Sequence, residues 1–74
     1  MIGDNIKFYR KKNQLTQDDI AEACNVTRQA VSKWENGESL PTVDNLYALS
    51  RLLHTSVDDI LIGEKERDDE PSLS

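Results

Sequence analysis

Residues 15–37 leave this chain little choice of fold. Two short helix-forming runs stand on either side of only three residues, Cys24-Asn25-Val26. So short a link forces the second run to cross the first steeply. Thr16 opens the first run. Its hydroxyl is placed to accept from the backbone N–H of Asp19, and Thr16-x-x-Asp19 is a capping-box pattern. Asp18 and Asp19 suit the positive end of the helix dipole. Ile20, Ala21 and Cys24 form the inner stripe, with small Ala21 where the two helices come closest. Asn25 tolerates the left-handed conformation needed to stop a helix in a tight turn. Thr27 opens the second run, which is expected to reach about residue 35. Asn36-Gly37 ends it, Gly37 being free to take positive φ.

Three further helices are predicted around this pair. Residues 2–13 repeat Ile2, Ile6 and Tyr9 at helical spacing, with lysines in the last turn where the dipole favours them. Pro41-Thr42 starts another helix, Thr42 capping it. Val43, Leu46, Leu49, Leu52 and Leu53 supply its apolar face. Ser56 caps the last, with Val57, Ile60 and Leu61 pointing inward and Gly63 at its end. No run of alternating β-branched residues reads as a strand, and there is no internal repeat. The fold class is therefore all-α: five short helices over residues 1–63, one domain. Residues 64–74 form an acidic tail expected to be disordered.

Charge and composition narrow the function. The 74 residues carry a formal charge of −5, of which the tail, with five acids and two bases, contributes −3. In residues 1–63 the bases cluster at Lys7, Arg10, Lys11 and Lys12, then Arg28 and Lys33, so one face can be positive on an acidic protein. The single cysteine, Cys24, excludes an intrachain disulfide and a cysteine-rich zinc site. The lack of a secretory leader and of a long apolar run gives an expected cytoplasmic location with no membrane contact.

The chemistry sits on the helix that Thr27 opens. Ala30, Val31 and Trp34 share an apolar face that must pack inward. The opposite face carries Arg28, Gln29, Ser32 and Lys33, with Asn36 just beyond. Arginine pairs bidentately with guanine and glutamine with adenine. A major groove about 12 Å wide admits an α-helix with its N-terminal residues nearest the bases, which favours Arg28 and Gln29 as direct readers. At the start of the preceding helix, the backbone N–H of Gln17 is an unpaired donor suited to a phosphate oxygen, and its side-chain amide adds another.

The stretch LTQDDIAEACNVTRQAVSKWENG, flanked by IGDNIKFYRKKNQ and LPTVDNLYALSRLLHTSVDDIL, resembles the Xre/Cro-type repressors, which include the lambdoid phage repressors. The resemblance covers about residues 2–63. It implies a lambda-repressor-like domain that binds double-stranded operator DNA as a homodimer and needs no cofactor. It also implies base contacts from Arg28, Gln29, Ser32 and Lys33. Thr16, Gln17, Thr27 and Asn36 are expected on phosphates. Arg10 and Glu35 match a structural ion pair of the family; removing one partner of such a buried pair costs roughly 3–5 kcal/mol. The dimer interface is expected at Leu53, Val57, Leu61 and Ile62. Two departures stand out: Asn25 occupies a turn position often filled by glycine, and residues 38–43 lack the basic side chains some members place on phosphate.

Trp34 lies on the apolar side and is expected in the core, not stacked on a base. Cys24 falls on an inner face, where a free thiol behaves as a small hydrophobe and not as a redox sensor. His54 has no cysteine or histidine partner nearby and follows a helix end, which suits a surface or capping role. Asp18-Asp19 and Asp58-Asp59 occupy first turns, where dipole compensation explains them better than catalysis. No nucleophile–base pair, metal set or phosphate loop marks an enzyme. The rival to a repressor is a protein-interaction module, an antitoxin or regulator partner with a protein antagonist, which the acidic charge and the acid-bearing loop favour.

Overall fold

The structure, a computed structural model, describes residues 1–63. The expectation for the acidic tail falls outside them. Five helices follow one another: α1 (Ile2–Lys12), α2 (Gln17–Cys24), α3 (Arg28–Asn36), α4 (Val43–Leu52) and α5 (Val57–Ile62). This is the all-α, five-helix architecture expected above. Each of α2 to α5 begins with a hydroxyl cap. Thr16, Thr27, Thr42 and Ser56 accept from the backbone N–H three residues on, at 3.0, 3.1, 3.2 and 3.0 Å respectively. At α2 the box is complete, because the Thr16 N–H also donates to Asp19 Oδ2 at 2.8 Å. These caps satisfy donors that a helix cannot satisfy itself.

One core joins the five. Ile6 and Tyr9 from α1, Ile20, Ala21 and Cys24 from α2, Val31 and Trp34 from α3, Leu49 and Leu53 around α4, and Ile60 from α5 are all buried. Helix α1 packs on α3 and α5, α2 on α3 and α4, and α4 on α5. The N-terminal end of α1 rests directly on α3. A Cβ placed on Gly3 would stand 2.3 Å from the Trp34 carbonyl oxygen and 2.8 Å from that of Glu35, so only glycine lets the two backbones approach this closely. Two asparagines tie α1 to the ends of α5 and α4. Asn5 Nδ2 donates to the Ile60 carbonyl at 2.7 Å, and Asn13 Nδ2 donates to the carbonyls of Tyr9 and Leu53 at 2.7 and 3.1 Å.

Three expectations are corrected. Val43 is 80% exposed, because burial deepens along α4, from half-buried Leu46 to fully buried Leu49, and the first turn overhangs the core. Leu61 points outward at 42% exposure. In a helix as short as α5, Ile60 takes the core-facing position, and the next side chain is turned by about 100°. Leu53 belongs to the core at 1% exposure, so its side chain is not on the surface with Leu61 and Ile62 as an interface would need. Val57 is half-buried.

Candidate nucleic-acid interface

Helix α3 is held from beneath and bare above. Val31 and Trp34 anchor it in the core, and Ala30 is half-buried beside them. Arg28, Gln29, Lys33 and Asn36 are exposed, while Ser32 is half-buried and sits lower on the same side. The helix stops where the sequence says it should. Gly37 takes φ 79°, its N–H reaches the Trp34 carbonyl at 3.2 Å, and the Glu38 N–H reaches that of Lys33 at 2.9 Å. That pair of bonds is a Schellman closure. Asn25 closes α2 in the same way at φ 58°, so asparagine serves where glycine is common.

The start of α2 meets the start of α3 and the end of α1 in one open cleft. Arg10, Leu15, Thr16, Gln17, Asp18 and Arg28 line about 370 Å³ of it. Three of the residues expected to touch DNA, namely Thr16, Gln17 and Arg28, are thereby brought together. Gln29 and Lys33 extend the polar face along α3, and Asn36 ends it. The hydroxyls of Thr16 and Thr27 accept from backbone N–H groups, which leaves each O–H proton to donate.

Beneath the cleft lies a charged network. Arg10 Nε donates to Glu35 Oε2 at 2.7 Å and Arg10 Nη2 to Glu35 Oε1 at 3.2 Å, a two-pronged pair whose side chains are 13% and 3% exposed. Arg10 Nη1 also donates to the Leu15 carbonyl at 3.0 Å. Gln17 Nε2 donates to the same Glu35 Oε1 at 3.1 Å. The family resemblance pairs Arg10 with Glu35. It says nothing of Gln17 joining them, and no local pattern could, because the two residues stand on different helices. A second ion pair, Arg28 Nε to Asp18 Oδ1 at 3.9 Å, is 68% and 73% exposed and so contributes little.

The remaining candidates fall elsewhere. Cys24 is buried, and burial pushes its thiol pKa up. His54 is an exposed residue in the left-handed region just after α4. Trp34 is a core residue. Among the described residues no cluster of His, Cys, Asp or Glu is placed to hold a metal ion. Nor is any described helix long and apolar enough to cross a membrane.

A cleft of this kind, with an exposed polar helix crossing a second helix over a short turn, defines a helix-turn-helix domain. The sequence matches the helix-turn-helix family HTH_3 over residues 6–60, and the chain belongs to that family, of the Xre/Cro type. It is a family of DNA-binding transcription regulators, not of enzymes. The chain is 40% identical over 72 residues to the HTH-type transcriptional regulator DicA of Escherichia coli K12, covering 97% of this chain and 53% of DicA. It thus spans about half the length of that relative. The P22 c2 repressor, solved in complex with a synthetic operator, superposes with a TM-score of 0.80 at 36% identity, over 85% of this chain and 96% of that one. SinR, solved in complex with DNA, gives 0.73 at 34% identity over 82% and 98%. SinR has also been solved in complex with the SinI protein.

Proposed function

We propose that the chain is a sequence-specific double-stranded DNA-binding regulator, a repressor acting as a homodimer on a near-palindromic operator. One observation carries this reading. Arg28, Gln29 and Lys33 stand exposed on a helix whose other face is buried, in a domain that shares its fold with a repressor solved on its operator. In such a complex α3 enters the major groove with Arg28 and Gln29 foremost, while Ser32 and Lys33 follow along the bases. Thr16, Gln17, Thr27 and Asn36 hold the phosphates on either side, which sets the register of the reading helix without contributing sequence information. Two copies related by a two-fold axis place their reading helices about 34 Å apart, one turn of DNA.

The test is selection of bound sequences from a random duplex pool at ~150 mM salt, where phosphate attraction alone is weak. Wild type and Gln29→Ala are run in parallel. The expected result is a palindromic motif that relaxes at one symmetric position in the variant, at a cost of about 1–3 kcal/mol there. Absence of any enriched motif would move the reading to a protein-interaction module. That alternative has its own support: residues 38–43 present Glu38 and the exposed Leu40 and Val43 where a phosphate contact asks for bases.

A further inference from the structure

We propose that Glu35 is a positioning residue for DNA-backbone contact: through its hydrogen bond to the Gln17 amide it fixes the orientation of that amide at the start of α2. The inference rests on the DNA-binding reading above and adds to it a role for a buried side chain that touches no DNA.

An unrestrained glutamine amide is ambivalent. One end is an oxygen that repels phosphate, the other an NH2 group with two donors, and the two ends interchange by rotation about the last side-chain bond. Glu35 removes the ambiguity. An ionised carboxylate only accepts, so only the NH2 end of Gln17 can face Oε1, as it does at 3.1 Å. One N–H is then engaged and the second remains for a phosphate oxygen. The carboxylate itself cannot drift. Arg10 grips both of its oxygens, at 2.7 and 3.2 Å, and is in turn held by the Leu15 carbonyl at 3.0 Å. The Glu35 side chain is only 3% exposed, so little water competes with Gln17 for Oε1.

The arrangement also links the two phosphate sites of the domain. Glu35 is the chain neighbour of Asn36, at the end of α3, while Gln17 begins α2. A single carboxylate therefore spans from one backbone anchor to within one residue of the other. Its place is set by α1, which contributes Arg10 to the pair. Holding the donor in place before DNA arrives lowers the ordering cost that binding must otherwise meet.

A four-protein cycle tests this: wild type, Gln17→Ala, Glu35→Asp and the double variant. Affinity for the selected operator and for a random duplex is measured alongside urea unfolding. Aspartate keeps the charge and the Arg10 partner but withdraws the acceptor by one methylene from Gln17. Gln17→Ala is expected to weaken both duplexes roughly fivefold, as for one lost hydrogen bond. Glu35→Asp should weaken them by a similar factor while staying folded, and the double variant should be no worse than either single one. Full additivity of the two losses would overturn the proposal and leave Glu35 a role in stability alone. A second readout needs no variant: in the free wild type, the side-chain amide protons of Gln17 should exchange with water several-fold more slowly than those of exposed Gln14. Equal rates would overturn the proposal even if the variants failed to fold. A wild type that bound no duplex at all would instead sink the DNA-binding reading, and this one with it.

Discussion

Arg28 has two calls on its charge. In the free protein it leans on Asp18, but the pair is long and open to solvent. A pair of that kind is worth little, so the guanidinium is held loosely at the cleft, as the proposed guanine contact requires. Asp18→Asn should leave the unfolding free energy within about 0.5 kcal/mol of wild type. It should at the same time tighten DNA binding, since it removes an acid from beside the phosphates; weaker binding in a filter assay would contradict this account. Cys24 shows the opposite environment. Its thiol is buried and its pKa is raised by loss of hydration, so little thiolate forms in the folded state. Alkylation by iodoacetamide should be slow in the native protein and fast in urea. The sign of the linkage follows. The folded state holds the proton more tightly than the unfolded chain, so the stability tied to this group is intact below the ordinary thiol range and is lost as pH rises through the folded pKa. Rapid native-state labelling, or a stability that rises with alkaline pH, would show that the thiol is accessible.

At the scale of the element, what a reader of the sequence could see was whatever is written locally. The four hydroxyl caps, the Asn25 and Gly37 stops and the apolar stripes of α1 to α3 are each a pattern within a few residues, and each formed as expected. Contacts between elements were not legible in that way. Gly3 reads as a poor helix residue, yet its reason is a carbonyl on α3, more than thirty residues away in the chain. Asn5 and Asn13 fall on the inward side of α1 and look misplaced until the ends of α5 and α4 supply their acceptors. The outward turns of Val43 and Leu61 are not legible in the sequence, because a periodic pattern does not reveal where along a helix the core stops. Two substitutions separate these classes. Thr27→Ala removes the cap of α3 and should cost about 1 kcal/mol in urea unfolding. Gly3→Ala should cost more, about 1–3 kcal/mol, because the added methyl must push α1 off α3. A neutral or stabilising Gly3→Ala, as helix propensity alone would give, would mean that the close approach is not maintained in solution.

For the whole molecule the question is what a second copy meets. Leu61 and Ile62 are exposed at 42% and 52%, whereas Leu53 lies in the core. Leu61→Glu should therefore lower the sedimenting mass of a dimer without unfolding the monomer, and an unchanged mass would remove α5 from the interface. Leu53→Ala should instead destabilise by about 2–5 kcal/mol, the cost of a cavity. One further property of the whole domain lies in its corners. All five helices are followed by a residue of positive φ: Gln14, Asn25, Gly37, His54 and Gly63. Two of these, Gln14 and His54, are neither glycine nor asparagine, and each closes its turn with a Schellman-type bond, from Leu15 to Arg10 and from Thr55 to Ser50, both at 3.0 Å. A small domain that leaves two such corners to residues other than glycine is not tuned for maximal hardiness. Glycine at those corners is open to lineage or laboratory as a stabilising change away from the proposed reading face, so Arg28, Gln29 and Lys33 could be exchanged for side chains with a different DNA preference while that change offsets the loss.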